Sequence, residues 1–315
     1  MVHLMPASSS IHNCRIMARA CSEAVALDVS IPRPGLFSLQ RPRRPGEERG
    51  FISIIPRSYE VCLCSCLRGY RRRGGWSDCW ASGVVDIARR GFGNPGFGSL
   101  FLLALLSSSL GRAVESGSGR VEGVMGWSRR LVEAEGARGA FNFYRALAAA
   151  NPSYLFSISW SGLPDASRQG LALGEVERLG LELREIVDKA SIYDPVMRDA
   201  SRFLALSLGI VYPLLREEVL EKGEGLWGAV KEATYTVALL EGDLILARGD
   251  IRVEDSLLEA SSDGGVFEAL LWRLLRGTGP GSVADVVISG LAYFLYEEFE
   301  KGGGGASIAL YPWRR

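Results

Sequence analysis

Apolar positions recur at helical spacing along most of the chain. Leu179, Leu183, Ile186, Val187 and Ala190 share one face, with Glu177, Arg178, Glu182, Arg184 and Glu185 between them, the spacing of an amphipathic helix. A second long stretch runs from Met197 to Leu220. Pro213 is expected to kink or divide it, because its ring removes a donor and crowds the preceding turn. The same pattern predicts helices at 122–135, 139–150, 226–240, 256–275 and 282–299. Gly223, Gly225, Gly242, Gly249, Gly264, Gly265, Gly277 and Gly281 punctuate the joins. Strand-type alternation is scarce, with Tyr154 to Trp160 the best candidate. The longest apolar run, Leu100 to Leu106, passes into three serines and falls short of the roughly 20 apolar residues a bilayer span needs. The expectation is an all-α fold, a multi-helix globular bundle enclosing a nucleotide-type pocket.

Residues 1–80 differ from the rest. They hold all six cysteines, no lysine, and 12 arginines against 6 acidic residues. Pro32, Pro34, Pro42, Pro45 and Pro56 are expected to break any long element there, leaving one short helix from about Arg15 to Val29. Residues 1–13 read as a poorly ordered extension, or as the product of an upstream start codon. Residues 14–300 read as a single helical domain. Residues 301–315, with Gly302 to Gly305, read as a flexible tail.

Composition narrows the function classes. Apolar residues make up 47% of 315, and 36 basic residues balance 36 acidic ones, so no net field favours nucleic acid. No compact apolar leader precedes a small-residue cleavage site. The expectation is a cytoplasmic protein with no membrane and no nucleic-acid partner, its oligomeric state open. Cys62-Leu63-Cys64-Ser65-Cys66 lacks the paired spacing of structural zinc, so Cys14, Cys21, Cys62, Cys64, Cys66 and Cys79 read as buried or reduced thiols. No histidine follows His12, which argues against Ser-His-Asp or Cys-His nucleophile systems. Acid–base chemistry must then fall to carboxylates, tyrosines or the substrate.

Several segments, in order, resemble the triphosphoribosyl-dephospho-CoA synthase family, most closely its archaeal branch. Pro32-Arg33-Pro34-Gly35 resembles its P-K-P-G. Gly93-Asn94-Pro95-Gly96-Phe97-Gly98, before the run from Leu100, resembles an N-T-N-L-G stretch leading into a leucine-rich helix. Tyr144 to Pro152 is similar to Y-E-A-I-R-L-A-N-P. Tyr193-Asp194-Pro195-Val196-Met197-Arg198-Asp199, followed by Phe203 and Gly209, resembles a D-S-I-A-R-E helix. Asp243 to Arg248 is similar to D-T-L-I-A-R. Gly279-Pro280-Gly281-Ser282-Val283-Ala284-Asp285 resembles N-P-G-T-T-A-D-L. Collinear order over residues 32–285 carries the resemblance.

The resemblance implies an all-helical transferase that moves the triphosphoribosyl group of ATP to the 2′-hydroxyl of 3′-dephospho-CoA and releases adenine. Such a reaction calls for carboxylates at the anomeric carbon, and for Mg²⁺ with arginines on the triphosphate. Carried over residue by residue, it makes Asp194, Asp243 and Asp285 the catalytic candidates, with Asp194 and Asp243 on Mg²⁺. Asn94, Arg198, Arg248, Gly281 and Ser282 become the nucleotide-binding candidates. Plainer readings stand beside these. Ser282-x-x-Asp285 reads as a capping box, Asp194 before Pro195 as an N-cap with an N1 proline, and Arg198 as its i,i+4 partner. Arg248 reads as a solvated joint residue, and Trp227, Tyr235, Trp272, Tyr293 and Phe294 as core. Gly96 and Gly279 stand where the family has asparagines, and Arg33 and Leu36-Phe37 replace its lysine and N-V. These departures motivate two alternatives: a homologue that binds a nucleotide or CoA-type ligand without turnover, and a helical scaffold without ligand.

Overall fold

One helix, α4 (Phe97–Glu115), is apolar on every side, and Phe97 through Gly111 are all buried. A helix without a polar face needs neighbours all round. It is enclosed by α1 (Ala7–Ser30), α2 (Glu47–Tyr70), α3 (Trp76–Arg89), α5 (Val121–Ala150) and α11 (Gly281–Glu300). Outside this shell, α6 (Gln169–Leu179) and α7 (Leu183–Ala190) pack on α5. On the other side α8 (Pro195–Ser201), α9 (Tyr212–Arg216) and α10 (Leu226–Glu241) pack on α11. The computed structural model describes residues 7–33, 36–40, 47–92, 96–152, 162–241 and 281–302. Among them the fold is all-α with no strand, as the periodicity predicts. The Tyr154–Trp160 strand and the 256–275 helix lie outside the described residues.

Both α2 and α4 are long and apolar enough to cross a bilayer by length and composition alone. In α4 the apolar window is 89% buried inside the protein, the position of a core helix. The run looked shorter in sequence because Ser107, Ser108 and Ser109 interrupt it. In the fold they stay helical and buried, and Ser109 returns its hydroxyl proton to the Leu105 carbonyl at 2.6 Å.

The cysteine expectation is corrected. All six form cystines: Cys14–Cys66, Cys21–Cys62 and Cys64–Cys79, with Cα separations of 5.4, 6.7 and 6.0 Å, inside the range the bond permits. Helical geometry explains the pattern. Cys62 and Cys66, four apart, share the face turned to α1, while Cys64 lies about 200° round from Cys62 and reaches α3. The nested order, 14 with 66 and 21 with 62, makes α1 and α2 antiparallel.

Other boundaries shift for local reasons. The N-terminal helix starts at Ala7 rather than near Arg15. Despite its prolines, the following region forms a 24-residue helix with Pro56 inside it. The acceptor this proline leaves unbonded is on Ile52, whose side chain is 47% exposed, so water can reach it. Leu179 ends α6, and Gly180, left-handed at φ 61°, separates it from α7. There Glu182 and Glu185 close a capping box. The stretch from Met197 breaks at Phe203 and Leu204, both at positive φ, and not at Pro213. The proline is absorbed because the wider turns Ser207–Val211 and Glu217–Glu221 flank α9. Helices 122–135 and 139–150 are found as α5, bent at Gly136 (φ 51°, ψ −144°). Next to that bend, Glu135 accepts from the backbone N–H of Gly75 (2.7 Å) and Trp76 (3.0 Å) and from the Ser77 hydroxyl. It thereby caps α3, whose own N-cap, Gly75, has no side chain.

Candidate functional site

The starts of α4, α8 and α11 meet at one place. Each start follows from its sequence. Asp194 precedes Pro195, and its Oδ1 accepts from Val196 N (2.7 Å) and Met197 N (3.3 Å), the N-cap expected before an N1 proline. Its Oδ2 accepts from the Ser282 hydroxyl of α11 at 3.1 Å. One turn further along α11, Asp285 Oδ1 accepts from the Ser99 hydroxyl at the start of α4. Beside Ser99, a Cβ on Gly98 would overlap Asp285 Oδ2 and come within 2.9 Å of both Asp285 Cγ and Val196 Cγ2. Glycine is what lets α4, α8 and α11 approach this closely.

The described parts of three resembling segments, 96–98, 193–199 and 281–285, therefore converge although they lie far apart in sequence. Asp194 is 8% exposed and Ser99 is 4% exposed, while Asp285 is half-buried. Burial pushes the Asp194 carboxyl above its ordinary range. The Met197 and Val196 N–H groups, the Ser282 hydroxyl and the Arg198 charge pull the other way without cancelling it. The result is a carboxyl that holds its proton to higher pH than a surface aspartate, with the more accessible Asp285 one turn along α11 from its partner Ser282. That pairing suits proton transfer and the stabilisation of developing positive charge.

The remaining candidates divide. Arg198 turns back, donating from Nε to Ser191 O (2.8 Å) and from Nη2 to Ile192 O (2.9 Å), so these contacts brace the end of α7. Gly281 starts α11, and a Cβ there would meet nothing within 4 Å among the described residues. Asn94, Asp243 and Arg248 lie outside the described residues, as do Gly279 and Trp272. Tyr293 and Phe294 are core residues as expected, whereas Trp227 is only partly buried. Among the described residues, no group of three or more His, Cys, Asp or Glu side chains gathers to hold a metal. Both Asp194 oxygens are taken, Oδ1 by two backbone N–H groups and Oδ2 by the Ser282 hydroxyl.

Two motif segments have a structural explanation. Tyr144 to Pro152 is the end of α5, where Asn151 caps it in the left-handed region (φ 43°) and Pro152 follows. Arg33 is fully buried, paired with Asp28 and donating to Thr234 Oγ1 at 3.1 Å. Burial raises Asp28's pKa, against the attraction of Arg33. Sequence reasoning missed Ser99, Gly98 as a contact point, and the Asp28–Arg33–Thr234 group. For Ser99 the available signal was a hydroxyl immediately after a glycine-rich stretch at the start of an apolar run. Comparison with known protein families, with curated proteins and with solved structures finds no match to this chain.

Proposed function

We propose that the chain is a transferase that moves the triphosphoribosyl group of ATP to the 2′-hydroxyl of 3′-dephospho-CoA, or of a related acceptor, releasing adenine. The single observation that carries this reading is the convergence of Asp194, Ser282, Asp285 and Gly98 from three segments that resemble that family, with Ser99 beside Gly98. In the transfer, the acceptor oxygen bonds to the ribose anomeric carbon as the bond to adenine breaks. The hydroxyl proton leaves and the departing base gains one. Asp194, with its raised pKa, is suited to carry a proton, and Asp285, the more open of the two, to face the cationic sugar. Mg²⁺, with Asp243 as its candidate carboxylate, would neutralise charge on the triphosphate. Asn94, Arg248 and the Gly281-Ser282 turn would contact the nucleotide. The reading goes with a cytoplasmic location, against which the three cystines weigh, because such bonds persist mainly in oxidising compartments, with intracellular proteins of hyperthermophiles an exception.

Incubation with ATP, Mg²⁺ and dephospho-CoA is expected to release adenine and add the triphosphoribosyl mass to the acceptor. Absence of both rejects the proposal. A second reading, ligand binding without turnover, is favoured by Arg198, whose Nε and Nη2 donate to backbone carbonyls, and by the capping duty of Asp194. Saturable calorimetric binding of ATP or CoA with no adenine release would select it.

A further inference from the structure

The three cystines differ in access and in what they hold. Cys14, Cys21, Cys62 and Cys66 are each at most 1% exposed, sealed between α1 and α2. Cys64 is partly exposed and bonds Cys79 of α3, which is itself 6% exposed. A reductant must bring its sulfur into line with one of the two bonded sulfurs, and Cys64 is the open approach.

Cys79 is also placed to matter beyond α3. Its neighbour Trp80 donates from the indole N–H to the Phe97 carbonyl at 3.1 Å and meets the Phe97 ring edge-on at 5.1 Å between centroids. Phe97 immediately precedes Gly98 and Ser99, the residues packed against and bonded to Asp285. Cys64–Cys79, Trp80, Phe97 and Ser99–Asp285 therefore form a continuous run of covalent and packed contacts. The α2–α3 link passes through exposed residues 71–74 to Gly75, left-handed at φ 90° and held by Glu135 and Arg68.

We propose that Cys64–Cys79 is a redox-sensitive clasp: its selective reduction loosens the start of α4 and with it the Ser99–Asp285 contact. The step is ordinary thiol–disulfide exchange with a dithiol. One thiolate of the reductant attacks Cys64 Sγ, and Cys79 leaves as a thiolate that takes up a proton. The second thiol then closes the reductant into a cyclic disulfide and frees Cys64. Two electrons pass to the protein and two cysteine thiols result. The clasp rests on the geometry of the cluster and not on the transferase reading.

The test uses the full oxidised chain under native conditions. Dithiothreitol is added, samples are quenched with iodoacetamide over time, and labelled cysteines are mapped by mass spectrometry alongside amide hydrogen exchange. Cys64 and Cys79 are expected to label at least tenfold faster than the other four. Exchange at residues 97–100 should rise at the same rate as their labelling. Comparable labelling at Cys14, Cys21, Cys62 and Cys66 overturns the proposal. So does opening of Cys64–Cys79 with exchange at 97–100 unchanged. The double variant Cys64→Ser/Cys79→Ser should show the fast exchange at 97–100 without reductant; if that variant fails to fold, the wild-type time course decides alone.

Discussion

Substituting Gly98 with alanine separates the packing argument from plain helix propensity, because the two have opposite signs. Within α4, alanine should stabilise by up to about 1 kcal/mol relative to glycine. The added methyl, however, would overlap Asp285 Oδ2 and sit 2.9 Å from Asp285 Cγ and from Val196 Cγ2, inside the roughly 3.5 Å at which carbon contacts become favourable. Overpacking of this kind costs about 1–3 kcal/mol. If the carboxylate swings away to relieve it, the Ser99–Asp285 bond is lost, at about 1.5–3 kcal/mol for a hydrogen bond to a charged group. The balance is a loss of about 1–2 kcal/mol, which lowers Tm by roughly 2–8 °C at about 2–4 °C per kcal/mol. Thermal unfolding by circular dichroism measures it. The same substitution in an Asp285→Ala background should lose most of its penalty, leaving only the Val196 contact. If Gly98→Ala is neutral or stabilising, or if it costs the same in both backgrounds, the close approach of α4 and α11 argued here is wrong.

Asp194→Asn should change the pH dependence of stability. The raised pKa of Asp194 means the folded state keeps this proton to higher pH than the unfolded chain. That contribution is fully present below the unfolded carboxyl value of about 3.9 and is lost as pH rises through the folded value. Denaturant titrations from pH 3 upward should therefore show a shallower decline for the variant than for the wild type, and parallel curves would contradict this. Removing Glu135 by substitution with alanine strips acceptors from Gly75 N, Trp76 N and the Ser77 hydroxyl. It should cost about 2–4 kcal/mol, with amide exchange rising first at the start of α3. For the nested cystines, loop closure over 52 and 41 residues is not additive. Opening either alone, by serine pairs, should cost about 3 kcal/mol because the other still closes the long loop, whereas opening both should cost about 7 kcal/mol. Strictly additive losses would refute the nesting.

What could be read from the chain was what repeats along it. Helix positions followed from apolar spacing, and the start of α8 followed from Asp194-Pro195, because both signals are local. The helix breaks were misplaced where tertiary packing overrides a local rule. Pro56 and Pro213 stay inside helical stretches, while Phe203 and Leu204 bend the chain without a glycine. The cystines were missed because a C-x-C-x-C run has no local signature of pairing. It becomes legible only once α1 and α3 are known to flank opposite faces of α2. The candidate site was half visible: its aspartates stood in recognisable segments, but Ser99 meets Asp285 across 186 positions of sequence, which no periodicity encodes.

Asp194 invites the plainest explanation, an N-cap, and a cap it is. Yet asparagine caps a helix about as well as aspartate without a carboxyl whose ionised form burial disfavours. Asp28 carries the same penalty, and its pKa is raised as well even with a buried guanidinium beside it. Around Asp194 the compensation is two backbone N–H groups, one hydroxyl and the charge of Arg198, and its pKa remains raised. Capping alone does not require a carboxyl at this position, so its proton is a second role that can be tested separately. Asp194→Asn distinguishes the two roles. If capping is its whole purpose, the variant should keep the Val196 and Met197 bonds and lose little stability at neutral pH, with ligand turnover untouched. If the proton is its purpose, stability should be held or improved while adenine release from ATP falls by about two orders of magnitude or more.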